Sequence, residues 1–262
     1  MAIAGDDVSG LRPKKVTAER LAEGREWLAT APKTWPSICR MAGPANEAAA
    51  VYAIPTLRIE QAADVSYVDL AVPWEDAAAA AAFGDTITGI VRDMPLLCGV
   101  MGMGFALPAS FDSLASFFPR AYPRYRTAIE FMVDGPRWGI HREIGNAHWH
   151  KFPEARDGIA DVGWRTFVGD YYLPRLPELD AVADAPVVTL ERHERMAILT
   201  AGAVPIWGDV NADEDISAYR AVAAALAPVR MHIEPALSGL FGSQRRNPEG
   251  RDRVEGYLAR YD

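Results

Sequence analysis

The sequence predicts an α+β protein, with helices packed on a largely antiparallel sheet. Three observations lead there. Short apolar segments with two-residue alternation recur along the chain, and stripes at three- and four-residue spacing fall between them. Both halves also run roughly strand, helix, strand pair, helix, an order that lays helices over one face of a sheet. A distant internal duplication joined near residues 152–161 would explain the repeated order.

The first residues, 1–16, are polar. Thr17 is placed to cap a helix running to Thr30, with Leu21 and Leu28 on one face, and the run Ala31 to Pro36 ends it. Residues 1–56 are expected to be a helix-and-loop extension, and 57–262 the main domain. Leu57–Glu60 and Tyr67–Val72 read as short strands. A long helix is expected from Trp74 to Met94. Phe83, Ile87, Ile90, Val91 and Met94 form its stripe and Pro95 its end. Its alanine run, 77–82, favours a helix, and the charges around it exclude a membrane-seeking one.

Leu96–Leu107 reads as one buried strand. Its glycines Gly99, Gly102 and Gly104 have the wrong order for a dinucleotide-binding loop, and Pro108 follows where a helix should start, so close packing is the preferred cause. A short helix over Ser110–Phe118 is followed by strands at Ile129–Val133 and Trp138–Ile144, joined by the turn Asp134 to Pro136. The second half offers a strand at Val162–Val168 and a Pro-containing helical segment at Asp170–Leu179. Strands at Val187–Leu190 and Met196–Ala201 come next. A closing helix is capped by Asn247, with Val254, Tyr257, Leu258 and Tyr261 on its stripe.

The chain has 262 residues and a formal net charge of -8, with half its residues hydrophobic. That length allows one large domain or two small ones with a substantial core. The acidic balance speaks against a nucleic-acid-binding face and suits a basic partner. Cys39 and Cys98 are the only cysteines and have no CxxC spacing, so a reducing compartment is the default. With no signal peptide and no long uncharged apolar run visible, a cytoplasmic protein without a membrane span is expected.

The stretch Ile206 to Arg220 organises the chain. It breaks at Gly208, gathers Asp209, Asn211, Asp213, Glu214 and Asp215, then becomes a helix. Ile216, Tyr219, Val222, Ala223 and Leu226 face a core until Pro228. Carboxylates are favourable before a helix, whose unpaired N–H groups make that end positive. The alternation Asp209, Asn211, Asp213, Asp215 resembles the first ligands of a calcium loop. That loop needs Gly at its sixth position and Glu at its twelfth, and here Glu214 and Arg220 stand there. Calcium is therefore rejected and no cofactor is expected.

The best enzymatic candidate is His141, Glu143, His148 and His150. On a strand, His148 and His150 would share a face as zinc ligands do, with His141 or Glu143 as third ligand. Gly145 and Asn146 suggest a loop that spoils this, so a structural role is preferred and no metal is expected. His193 and His232 have no serine or cysteine motif near them, and neither a P-loop, a G-x-S-x-G elbow nor an HExxH helix is present. The basic run Ser243 to Arg253 carries Glu249 and Asp252 and reads as a solvated helix start.

Two segments carry a resemblance. One is Gly163-Trp-Arg-Thr-Phe-Val-Gly-Asp170 with Leu173, Leu176 and Leu179 after it. The other is Gly208-Asp-Val-Asn-Ala-Asp-Glu-Asp-Ile-Ser-Ala-Tyr-Arg220 with Leu226 and Pro228 following. With the closing Tyr257-Leu-Ala-Arg-Tyr-Asp262, they resemble a bacterial family of type VI secretion immunity proteins, over about residues 60–262. The chain departs from the family at Leu176-Pro177-Glu178, where a glycine pair is usual, and in the run Thr200 to Pro205, which lacks the usual Gln. Membership implies a non-enzymatic antidote that binds a cognate effector toxin acting in the cytoplasm, such as a nuclease. Gly163, Trp164, Gly169, Gly208, Asp209, Asn211, Tyr219 and Arg220 would then build the fold. Asp209, Asp213, Glu214 and Asp215 would form an acidic contact patch. The competing classes are a metal-dependent hydrolase using His141, His148 and His150, and an adaptor that loads effectors onto the secretion machinery.

Overall fold

A computed structural model describes residues 2–4, 14–15, 17–30, 37–42, 56–61, 66–72, 77–107, 120–132, 159, 161–230, 252, 256 and 259–262. The chain forms two compact units. The first takes Met1–Asp76, Ala106–Ser110 and Phe131–Pro136; the second takes Ala77–Phe105, Phe111–Glu130 and Arg137–Asp262. Expected helices at Ser110–Phe118 and after Asn247, and the strand at Trp138–Ile144, lie wholly or largely outside the described residues.

The first unit holds a five-stranded antiparallel sheet. Its strands are β1 (Ala2–Ala4), β2 (Lys14–Lys15), β3 (Ser37–Ala42), β4 (Thr56–Gln61) and β5 (Ser66–Ala71), in the order β2-β1-β3-β4-β5. β4 and β5 were expected at the head of the larger domain, and β3 falls within the stretch expected to be a helix-and-loop extension. Helix α1 (Ala18–Thr30) starts as its cap predicts, with the Arg20 N–H donating to the Thr17 hydroxyl at 3.2 Å.

The second unit begins with α2 (Ala77–Val91). Strands β6 (Cys98–Met101), β9 (Arg165–Gly169), β10 (Val188–Arg192) and β11 (Met196–Ala201) form an antiparallel sheet ordered β10-β11-β9-β6. A separate two-stranded sheet pairs β7 (Gly104–Leu107) with β8 (Ile129–Met132), of which residues 106–107 and 131–132 are counted in the first unit. The expected single strand over Leu96–Leu107 is thus two, broken at Gly102 and Met103. Among the described residues no helix is long and apolar enough to cross a membrane.

The continuous apolar run of β11 buries both of its faces, and the two-residue period sorts them. Met196 and Ile198 join Phe167 against Val91 and Leu96, which puts α2 on that side. Ala197, Leu199 and Ala201 join Val168, Tyr172, Leu179 and Val182 on the other. There helix α3 (Ser217–Ala225) buries Ala218, Tyr219, Val222 and Ala223, with Ile216 and Leu226 buried at its flanks. Helices therefore cover both faces of this sheet, where one was expected. The predicted stripe of α3 is met at every position. That of α2 fails at Ile90, which is 58% exposed, and at Met94.

After β9 the expected helix is replaced by two 3-10 segments, Leu173–Arg175 and Leu179–Asp184. Pro174 and Pro177 explain this, because each lacks the N–H that an α-helix interior requires. Leu176, Leu179 and Val182 still reach the core.

Ion pairs on the exterior of this unit, such as Asp170 with Arg195 and Asp180 with Arg192, leave both partners about half exposed or more. Exposed pairs contribute about 0–1 kcal/mol, against about 1.5–3 kcal/mol for each large apolar side chain fully buried. The α3 and β11 side chains therefore dominate the stability of this unit. Gly169 limits the sheet in another way. A Cβ there would lie 1.7 Å from the Leu96 carbonyl oxygen, whose backbone cannot yield locally because the Gly169 N–H donates to the Leu97 carbonyl at 3.0 Å. Gly169→Ala should destabilise the protein by about 3 kcal/mol, the upper part of the overpacking range, read as a lower urea midpoint with an unchanged slope.

Candidate functional site

The organising stretch folds as a tight, doubly anchored turn. Its ladder partner is the segment after Arg120. The Arg126 N–H donates to the Gly208 carbonyl at 3.1 Å, the Thr127 N–H to the Trp207 carbonyl at 3.2 Å, and the Val210 N–H to the Arg124 carbonyl at 2.9 Å. The buried Thr127 hydroxyl donates to the Ile206 carbonyl. Gly208 has φ +62, and a Cβ there would stand 2.8 Å from the Thr127 nitrogen, so both conformation and space require glycine.

Asp209 then caps the 3-10 turn Val210–Ala212, its carboxylate accepting from the Asn211 N–H at 2.9 Å. The same carboxylate meets Arg124 in a fork, with two N–H donations of 3.0 Å each. This hydrogen-bonded guanidinium, followed by the turn's own N–H, holds the Asp209 carboxyl below the usual carboxylate range. Glu214 folds back, its carboxylate accepting from the Asp209 N–H at 2.8 Å. Asp213 is exposed and left-handed, with φ 50, a conformation that Asp tolerates better than most residues. Asp215 stands two residues before α3: it accepts from the Ser217 N–H at 2.8 Å and from the Ser217 hydroxyl at 2.9 Å, and these bonds lower its pKa.

The structure thus brings Asp209, Asp213, Glu214 and Asp215 into one turn but gives them different tasks. Asp209 and Glu214 spend their oxygens on the turn and on Arg124. Asp213 and Asp215 are exposed, Asp215 while bonded to Ser217. Asn211 contributes its backbone, and Arg220 is exposed on α3, its charge lowering the Asp215 pKa only as a minor cause. Of the calcium-like alternation, the Asp209 oxygens accept from Arg124 and the Asn211 N–H, and the Asp215 oxygens from Ser217. Among the described residues no three of His, Cys, Asp and Glu gather as a metal would need. His141, Glu143, His148 and His150 lie outside the described residues. Desolvation pushes the pKa of the half-buried Cys98 thiol up to about 12.

The other motif residues line the core beneath this turn. Trp164 is buried and its indole N–H donates to the Gly202 carbonyl at 3.1 Å. Arg165 lies over the Trp164 ring at 4.3 Å and reaches α2, donating to the Thr88 hydroxyl and to the Asp85 carboxylate. Gly163 donates to the Thr166 hydroxyl at 3.1 Å, and a Cβ on it would collide with the Met101 backbone. Tyr219 is buried on α3 with its hydroxyl accepting from the Ile206 N–H, and burial pushes its pKa up to about 12.

Two residues that carry this site escape sequence reasoning. Arg260 and Asp161 form a buried ion pair, their side chains 3% and 0% exposed. Arg260 also donates to the Arg126 carbonyl at 2.9 Å and to the Tyr261 hydroxyl at 3.1 Å. Tyr261 in turn donates to the Val162 carbonyl at 2.8 Å and stacks on Tyr219, ring centroids 6.4 Å apart. Position 260 stands in a recognisable closing motif, but nothing local tells a buried arginine from a solvated one.

No protein-family model and no curated protein matches the chain. Among solved structures, the Pseudomonas aeruginosa T6SS protein PA0821 matches with a TM-score of 0.71 at 17% sequence identity, covering 100% of this chain and 73% of that chain. At that identity the likeness establishes the fold.

The Asp209 carboxyl yields a pH prediction. Its folded pKa is depressed, so as pH falls the unfolded chain takes up a proton first. The stability it contributes is full above about pH 4 and is lost as pH drops through the lower folded value. Asp209→Asn should flatten the loss of thermal midpoint below about pH 4 relative to wild type.

Proposed function

We propose that this chain is an immunity protein of a type VI secretion system, cytoplasmic, which neutralises a cognate antibacterial effector by binding rather than by catalysis. The reading is carried by the fold likeness to a T6SS protein, matched across the whole of this chain. It is supported by the use of the motif residues. Gly163, Trp164, Gly169, Gly208 and Tyr219 go into backbone contacts and core, as expected of segments that hold a shared fold while partner-facing surfaces differ. The net charge of -8 suits a basic toxin such as a nuclease, since complementary charge speeds encounter and rejects wrong partners.

An effector-loading adaptor is the second reading, favoured by the same neighbour because T6SS membership covers both roles. It predicts binding to secretion components instead of to a toxic domain.

The test is co-expression with the product of the adjacent gene in a susceptible bacterium, followed by copurification. Restored growth with a stable one-to-one complex is expected. Restored growth without a complex would overturn neutralisation by binding, and a complex without restored growth would favour the adaptor.

A further inference from the structure

Trp164, Phe167, Tyr172, Tyr219 and Tyr261 are buried in the core of the second unit. Phe105, Tyr125 and Trp207 are different. Their rings form one cluster, with Phe105 4.8 Å from Trp207 and 5.4 Å from Tyr125, and Tyr125 5.8 Å from Trp207, yet all three are only partly buried. Arg124 lies over the Tyr125 ring at 4.7 Å with its side chain 48% exposed. Val210, tied to the Arg124 carbonyl, is 43% exposed.

This combination is what an interface anchor needs. Trp, Tyr and Arg are the residues that dominate binding energy when water is excluded from around them. Here they are already ordered by the 124–127 and 206–210 hydrogen bonds and by the Arg124–Asp209 fork, so little side-chain freedom remains to be lost on binding. The occupant follows from charge. Asp213, whose N–H closes onto the Val210 carbonyl, and Asp215 are exposed along the same turn, on a chain of net charge -8. A basic face would gain from both carboxylates and an acidic one would be repelled.

We infer that Phe105, Tyr125, Trp207 and Val210, with Asp213 and Asp215 beside them, form the docking surface for a basic face of the cognate effector. The inference rests on the immunity reading and shifts the weight of the contact from the carboxylates to the rings. Asp209 and Glu214 act as supports that hold Arg124 and the turn in place.

The experiment is titration of the full chain with the purified toxic domain of the adjacent gene's product, in wild type and three variants. Val210→Lys places a cation against the basic partner on an exposed position, and Trp207→Ala removes the indole that contacts both other rings. Each should weaken binding by at least about tenfold. Ile90→Lys makes the same charge change on exposed α2 and should stay within about twofold of wild type. Val210→Lys decides if Trp207→Ala lowers the thermal midpoint. Wild-type binding that Val210→Lys leaves within about twofold overturns this surface while leaving the immunity reading standing. A wild-type chain that does not bind overturns both.

Discussion

The organising turn of the second unit hangs on a buried cation, Arg260. Arg260 loses nearly all its water, and an unpaired charge there would be untenable. The chain answers with the Asp161 carboxylate, the Arg126 carbonyl and the Tyr261 hydroxyl and ring. Asp161 is in turn satisfied by the Val162 N–H at 2.8 Å as well as by the guanidinium. Such a pair adds little over a well-packed apolar pair of the same shape, but removing one partner costs about 3–5 kcal/mol because the other charge is stranded. Its value lies in position. It fixes the last residues of the chain to the start of β9 and to the segment that ladders onto the organising turn.

From that anchor the site follows in short steps. Arg260 holds the carbonyl of Arg126, whose N–H holds Gly208, and the neighbouring residues repeat the pattern at Thr127 and Val210. Arg124, carried on the same segment, meets Asp209 in a fork, and Asp209 sets the 3-10 turn that leads through Asp213 to α3. The carboxylates that crowd this turn are therefore mostly internal devices. What the turn shows to solvent is a set of partly buried rings and two exposed acids, which is why a binding role is proposed for it and the fold-building role is given to the motif itself.

Much of this was legible in the sequence where the information is local. The stripe of α3 named every residue that the helix buries at its inner face except Ala218, since three- and four-residue spacing is a property of one short segment. The apolar run of β11 and the cap of α1 were visible for the same reason. The Asp170–Leu179 segment was misread as helix despite Pro174 and Pro177, because its leucine spacing mimics a stripe that 3-10 turns also satisfy. Helices on both sheet faces could not be seen, since a continuously apolar strand does not say what covers each side. The site was half legible. Its turn and its motif residues were found, but Arg124 lies 85 residues from Asp209 and Arg260 lies 99 from Asp161, and no spacing rule joins charges so far apart.

The Arg260 anchor holds the organising turn in place. Amide hydrogen exchange in Arg260→Met against wild type tests it most directly. The amides of Arg126, Thr127 and Val210 should lose far more protection than those of β10 and β11, whose ladder does not run through the anchor. Wild-type protection at those three amides would contradict the account, and the turn would then stand on its own hydrogen bonds.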